Sequence, residues 1–334
     1  MKNLKVVFMG TPSFAEPILK MLIECTNVIM VVCQESRKKD RKGNIIDPEI
    51  KKIAEQNNIE VFQPSRIKDE YQYIIDKKPD IIITAAYGQI IPEALLDYPK
   101  YGCINVHGSL LPDLRGGAPV HWAIIKGYDK TGVTIMYMAP KMDAGDIIAQ
   151  KEITIGENDT LDKIYEELSN VGSELLKETL PDIINNNIKR TKQDESLVTY
   201  GYNIKREDEK IDFNKTGKEI KNLVRGLCTI PGAYCLMDDK ILKIYEVEVI
   251  NEKTNKECGK IIEVTKDSIV CACHDSKIKI KDIKLEGKKR CKVKDYLNGI
   301  KKEELIGKVL KWKKIKRIKN HFLLKWKIKN MHQK

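Results

Sequence analysis

Over residues 1–155 the chain alternates between short apolar runs and segments whose apolar residues recur with helical spacing. The apolar runs predict strands at Lys5–Met9, Val28–Cys33, Glu60–Gln63, Asp80–Ala85, Gly102–His107 and Val133–Met138. Several are unbroken in Val and Ile, which is what strands covered on both faces need. Helical spacing predicts Phe14–Cys25, Pro48–Asn57, Lys68–Lys77 and Ala118–Lys126, then a longer helix over Leu161–Asn185 with Asp159 or Thr160 as its cap. Such alternation implies an open, mostly parallel α/β sheet. Residues 187–206 are polar and aperiodic and read as a linker. Beyond a predicted helix at Thr216–Gly226 the period changes to that of strands: Ala233–Met237, Lys240–Ile250, Gly259–Val264, Ser268–Cys273 and Lys277–Ile283. Short strands with Asp and Gly turns predict a small β-barrel or sandwich.

Composition narrows the picture. A length of 334 residues with 42% hydrophobic content suits about two domains with ordinary cores. The net charge of +12 is uneven, because residues 311–334 hold ten Lys or Arg and no acid, which leaves +2 for residues 1–310. That block reads either as a polyanion-binding arm, for RNA or an anionic membrane, or as a solvated end. Trp312, Ile315, Phe322 and Trp326 fall near helical spacing, while the alternation over Lys325–Lys329 fits a strand. Nine cysteines, an odd count with no C-x-x-C pair, argue against a disulfide framework. Cys271, Cys273 and His274 lie close enough to suggest a metal, but the alternating run Ile269–Cys273 favours a half-buried strand with both thiols on one face. No metal is therefore expected. MKNLKVVFMG reads as a first buried strand, not a signal peptide, and no apolar run approaches ~20 residues, so a cytoplasmic chain without a membrane span is expected. The turn Gly10-Thr11-Pro12 lacks the G-x-G-x-x-G spacing of dinucleotide sites, although a ligand could still sit where the strand order reverses.

The densest chemical signal is the stretch from Gly102 to Pro112, GCINVHGSLLP. In a strand, Asn105 and His107 share one face, while Ile104 and Val106 turn to the other. Gly108 lets the chain leave the strand at its carboxyl end, where α/β sheets place their sites. Met142-Asp143-Ala144-Gly145-Asp146 follows the next strand, close enough for one carboxylate to reach the imidazole. An Asn–His–Asp trio suits acyl transfer to an amine. An α-amino group, with a pKa of roughly 7.7 to 8.0, is partly neutral at pH 7 and needs no serine or cysteine nucleophile. The harder task is holding the oxygen that gains charge, for which an amide NH2 and an imidazole N–H are suitable donors.

These residues resemble the folate-dependent formyltransferases and, over residues 4–310, the methionyl-tRNA formyltransferases. The matching stretches are FMGTPSFA (8–15), QESRKKDRKGN (34–44), PDIIITAAYGQIIP (79–92), GCINVHGSLLPDLRGGAP (102–119), TGVTIMYM (131–138), MDAGD (142–146), KIDF (210–213), PGAY (231–234) and EGKKR…YLNG (286–299). The resemblance implies an α/β fold: a Rossmann-like, mostly parallel sheet domain followed by a small C-terminal β-barrel (OB-like) domain. The expected organisation is a catalytic domain over 1–189, a linker over 190–206, a tRNA-binding domain over 207–310 and a basic tail over 311–334. The implied reaction moves the formyl group of 10-formyltetrahydrofolate to the α-amino group of methionyl-initiator tRNA, carried out by a cytoplasmic monomer. Asn105, His107 and Asp143 match the catalytic trio. Ser109, Leu110, Leu111 and Pro112 match the folate-binding stretch, and Gly88, Gln89 and Ile90 match backbone that lines the pterin pocket. Arg41 matches a loop arginine that enters the acceptor stem, flanked by Arg37, Lys38, Lys39 and Lys42. Five of the six residues Arg37–Lys42 are basic, which by itself describes a basic surface loop.

The chain departs from the family pattern at Gly108, at Asp113 and Leu114 in place of a basic–aromatic pair, at His121, which reads as helix surface or packing, and in the extension from residue 311. An alternative is a folate-dependent formyltransferase acting on a small amine or amino sugar, which needs neither a C-terminal β domain nor a basic loop. A non-enzymatic RNA-binding protein is a further alternative, which the intact trio disfavours.

Overall fold

The computed structural model describes residues 1–38 and 45–312. The first domain is built on seven strands: β1 (Lys5–Gly10), β2 (Asn27–Val32), β3 (Glu60–Phe62), β4 (Ile81–Ala85), β5 (Cys103–His107), β6 (Lys130–Tyr137) and β7 (Ile147–Thr154), in the order β3-β2-β1-β4-β5-β6-β7. The pairings from β3 to β5 are parallel, and β6 and β7 add antiparallel edges. The sheet is mostly parallel, as expected. The added edge strand β7, absent from the sequence-based reading, lacks a buried run: its residues are half-buried or exposed apart from Ile153.

The period-2 rule explains the layers. Val6 and Phe8 of β1 pack with Ile83, Ile104 and Val106 against α1 (Glu16–Cys25) and a long helix over Leu161–Ile184. Val7 and Met9 face the opposite side, with Ile82, Cys103, Ile67, Ile74 and Leu95. The long helix lies close on β5, since a Cβ added at Gly172 would meet Val106 Cγ1 at 2.9 Å. Ser169 and Ser173 of that helix donate to the carbonyls of Phe14 and Pro17, tying it to the turn after β1 and to the first turn of α1. Its expected cap is not formed. Thr160 occupies the N-cap position without a side-chain bond, and Asp159 instead accepts from the Gly156 amide and pairs with Lys163. The predicted helix Lys68–Lys77 is two short turns, Ile67–Glu70 and Gln72–Asp76.

Residues 187–206 are fastened to the first domain rather than free. Thr191 pairs with Ile147, and Tyr200 runs beside Arg115. Arg115 is 0% exposed and donates through Nε and Nη2 to Gln193 Oε1 at 3.0 and 2.8 Å, and through Nη2 to Glu195 at 2.9 Å.

The second domain opens with the helix Gly217–Gly226, whose Thr216 and Glu219 form a reciprocal capping box. Its Arg225 donates to the carbonyls of Gly156 and Asp159, so the helix clamps one domain on the other. Five antiparallel strands follow: β8 (Ala233–Met237), β9 (Lys240–Ile250), β10 (Ile261–Val264), β11 (Ile269–Ala272) and β12 (Lys277–Leu285), in the order β8-β9-β12-β11-β10, with Cys291–Lys292 as a sixth beside β12. Residues 308–311 span the gap between the sheet's two edges. Lys311 exchanges backbone bonds with Leu236 of β8, and the Ile261 amide of β10 donates to Lys308 O. Among the described residues no regular strand closes the barrel, but this segment bridges it. Strand β11 is buried on both faces, not one, so Cys271 sits in the core and donates to Ile278 O, and Cys273 donates to Ser276 O. All nine cysteines are free, and among the described residues no three His, Cys, Asp or Glu side chains converge as a metal site would need. The expected helix or strand over the basic tail lies outside the described residues beyond Trp312.

Candidate active site

The strand order turns at β1: β2 and β3 lie on one side, β4 and β5 on the other. The loops leaving the carboxyl ends of β1 and β4 must therefore diverge and leave a crevice. A cavity of about 560 Å³ occupies that position. Pro12 and Phe14 after β1 line it, with Ala86–Ile91 after β4, Asn105–Gly108 at the end of β5, Gly116–His121, and Met138–Pro140 with Met142 and Asp143 after β6.

Asn105 and His107 project to one face of β5, as the spacing predicts. Thr84 stands directly across the parallel ladder from Asn105, and its hydroxyl donates to Asn105 Oδ1 at 2.9 Å. With its oxygen engaged, the Asn105 amide keeps its NH2 free to donate into the cavity. His107 is 6% exposed. Its Nε2 lies 3.2 Å from Leu114 O, which can only accept, so Nε2 carries the proton in that contact. Its Nδ1 faces Asp143 Oδ1 at 3.8 Å. The carboxylate is held in turn, because the Gly116 amide donates to Asp143 Oδ2 at 2.8 Å.

The loop around Asp143 is fastened from the linker. Gln193 Nε2 donates to the carbonyls of Asp143 and Gly145 at 2.9 and 2.8 Å, while its Oε1 receives the fork of Arg115. Asp143 adopts a φ of 49°, a conformation costly for a side-chain-bearing residue unless its surroundings impose it. Gly145 has no alternative residue: an added Cβ would meet Tyr137 O at 1.8 Å. Thr84, Arg115 and Gln193 thus belong to the site's framework, although the sequence reading assigned them no role.

The second group of predicted residues divides. Gly88, Gln89 and Ile90 line the cavity, Gly88 with a φ of 86° and Ile90 at the rim, 86% exposed. Gln89 does not point its amide at a ligand; Oε1 accepts from the Ile67 amide and so pins the loop. Ser109, Leu110, Leu111 and Pro112 are not brought to this cavity. The chain turns away at Gly108, Ser109 Oγ donates to Asp113 O, and the Leu111 amide donates to Thr134 Oγ1. Ser109 and Leu110 line a separate hollow with Asp113 and Tyr128. His121 lies on neither helix surface nor plain packing, for it faces the cavity with a buried Nδ1 that has no hydrogen-bond partner. Burial pushes its imidazole pKa down to about 4. Of the basic loop, Arg37 and Lys38 pair with Ile45–Ile46 in a short ladder. The expectations for Lys39, Arg41 and Lys42 lie outside the described residues.

The cavity can accept a flat heteroaromatic ring. Apolar side chains of Ile91, Leu96 and Met138 stand beside the backbone of Tyr87–Ile90, and the polar trio closes the inner end. A formyl transferase model matches residues 3–180, and a model of the formyl transferase C-terminal domain matches residues 203–301. Fold and site together define a two-domain formyltransferase. The chain is 48% identical over 300 residues to methionyl-tRNA formyltransferase of Geobacillus sp. (strain WCH70), covering 89% of this chain and 94% of that one. It is 46% identical over 309 residues to the protein of the same name from Staphylococcus aureus (strain MW2), covering 92% and 99%. It therefore belongs to the methionyl-tRNA formyltransferase family. Among solved structures its fold is similar to that of a HypX variant from Aquifex aeolicus, with a TM-score of 0.65 at 18% identity, over 90% of this chain and 49% of that one.

Proposed function

We propose that this protein transfers the formyl group of 10-formyltetrahydrofolate to the α-amino group of methionine on initiator tRNA, and that Asn105, His107 and Asp143 carry the reaction. The observation that supports it best is their convergence: an amide held by Thr84, an imidazole and a carboxylate at the inner end of one cavity. The reaction exchanges one C–N bond for another. The bond from the formyl carbon to the methionine nitrogen forms, the bond to the folate nitrogen breaks, and one proton passes from the first nitrogen to the second. The free Asn105 NH2 holds the formyl oxygen as it gains charge. His107 receives the amine's proton at Nδ1, where the Asp143 charge meets it, and returns it toward the leaving nitrogen. The backbone of Gly88–Ile90 and the apolar wall orient the donor ring. Ser109–Pro112 act one step removed, by shaping the turn that follows His107.

The division of labour we propose is catalysis in residues 1–189 and tRNA contact in residues 207–310. We assign the basic stretch Arg37, Lys38, Lys39, Arg41 and Lys42 to contact with the acceptor stem. Its charge supports this, since five of the six residues Arg37–Lys42 are basic. No described helix is long and apolar enough to cross a membrane, and translation places such an enzyme in the cytoplasm.

The test is a formyl-transfer assay with 10-formyltetrahydrofolate and Met-charged tRNA, with glycinamide and amino-sugar acceptors as controls. Formylation of the charged tRNA above the small amines is expected. Asn105→Ala and His107→Ala should each cost ~10²–10³ in kcat with melting unchanged. Full activity in either variant defeats the mechanism, and preference for a small amine defeats the substrate assignment.

A further inference from the structure

The segment that joins the domains carries an aromatic feature outside the trio and its framework. Tyr200 and Tyr202 stack with ring centroids 5.0 Å apart and planes 2° from parallel. Both are open to solvent, 39% and 55% exposed. Residues two apart in an extended stretch share one side, which brings the rings together. Their backbone is fixed. Gly201 N donates to Arg115 O, Ala118 N donates to Gly201 O at 2.9 Å, and Trp122 Nε1 donates to Tyr202 O at 2.7 Å. The next residue, Asn203, lines the catalytic cavity beside Gly116 and Gly117. The pair therefore stands at the cavity's rim, on the strip that also braces Asp143 through Gln193.

Two pre-aligned rings with an open outer face suit one occupant in particular. Every nucleobase has a π-face, and single-stranded nucleic acid is held by aromatic platforms flanked by positive charge. Residues 187–206 contain five Lys or Arg against two acids, and the strip stays net positive although Arg206 is paired with Glu209 and Glu195 with Arg115 and Lys141. We propose that Tyr202, backed by Tyr200, stacks on an unpaired base of the single-stranded 3′ end of the substrate RNA and sets how far the aminoacyl group reaches toward Asn105. This rests on the reading of charged tRNA as the substrate.

Substituting Tyr202 tests it in the full chain. Tyr202→Ala raises KM for Met-charged tRNA roughly 10-fold, within the ~5- to 150-fold range expected for losing one base–aromatic stack. KM for 10-formyltetrahydrofolate stays unchanged. Tyr202→Phe keeps the ring and stays near wild type, whereas Tyr202→Leu keeps bulk without a ring and behaves like Ala. A stem–loop RNA with 2-aminopurine in its single-stranded 3′ end gives a direct readout. Its fluorescence is quenched by the wild type and the Phe variant, but not by the Ala or Leu variant. Equal KM across the four proteins, or equal quenching, overturns the proposal. A wild type that quenches the probe but formylates no charged tRNA leaves stacking standing and removes the functional reading instead. Tyr202 is half-exposed, so folding is not at stake, and equal melting temperatures confirm that.

Discussion

The two sheets treat buried polarity in opposite ways. In the first domain, polar groups gather beyond the carboxyl ends of the parallel strands: Thr84, His107 and Arg115 are all buried there, and each is engaged by a named neighbour. In the second domain the strands keep most of their polarity outside, the exception being Asp282 of β12, buried and paired with Arg290 and Lys292. Along β12, Ile278, Ile280 and Ile283 fill the core while Lys277 and Lys281 pair outward with Glu252 and Glu248. Even the buried thiols serve packing: Cys235 donates to Leu242 O, and burial pushes its pKa up to about 12, far from a reactive thiolate. Parallel strands need crossovers that cover their faces, so their ends stay available for chemistry. Antiparallel hairpins spend their ends on turns, and what they offer a partner is surface. We read the first sheet as the frame of a reaction site and the second as a platform for a partner.

If that contrast is right, damage to the two sheets should separate stability from catalysis. The largest effect is expected at Arg115. Arg115→Ala removes three hydrogen bonds to Gln193 and Glu195 and frees Gln193 from the carbonyls of Asp143 and Gly145. Stability should fall by ~3–5 kcal/mol. In the folded fraction kcat should fall about 10²-fold, because a misplaced carboxylate no longer meets His107. Arg115→Lys restores little, since an ammonium cannot supply the fork. Urea unfolding and steady-state kinetics on the same samples measure both, and an unchanged kcat would mean that the Gly116 amide alone suffices to hold Asp143. Somewhat smaller is Ile280→Ala in the second core, expected to cost about 3 kcal/mol, within the usual range for truncating a buried Ile. Here kcat per folded molecule should not move. A fall as deep as that of Arg115→Ala would show that the second domain shapes the cavity and that the contrast is false.

The same contrast governs what the sequence could reveal. Asn105 and His107 were legible because a strand's period of two is local and needs no partner. Thr84 was not, because in the run IIITA it is one more β-branched residue. Its role exists only in the register that sets it opposite Asn105. Arg115 sits in an Arg-Gly-Gly turn that looks like solvent-facing loop, and its burial depends on Gln193, 78 residues away, folding back over it. Gln193 lies in a polar stretch without period, the kind of segment that pattern reading treats as linker. Similarity pointed to Ser109–Pro112 as ligand contacts; the cavity lining runs to Gly108 and resumes at Gly116, and that path is not written in a strand's period. In the second domain alternation alone predicted β8 and β9 to the residue. The bridge made by residues 308–311 went unseen, because an isolated backbone pairing leaves no pattern.

The smallest effect concerns His121, the least legible cavity residue. Burial holds its imidazole at a pKa of about 4 against an ordinary 6.5, so it is neutral in the folded protein at pH 5, while an unfolded chain is already protonated there. Protons then bind the unfolded state first as pH falls. The stability this group contributes is present above pH 6.5 and is lost progressively between 6.5 and about 4. Between pH 7 and 5 the loss amounts to about 2 kcal/mol, or roughly 4–8 °C in Tm. Carboxylates titrate near this window as well, so the informative quantity is the difference between two proteins. His121→Gln keeps a polar group facing the cavity but cannot ionise, and its Tm should fall less than the wild type's over the same pH interval. Identical slopes would mean the imidazole is charged when folded, and the cavity would then hold a cation beside the amine it is meant to receive. A shallower slope keeps that wall of the cavity uncharged, as an incoming amine that is partly protonated at neutral pH requires.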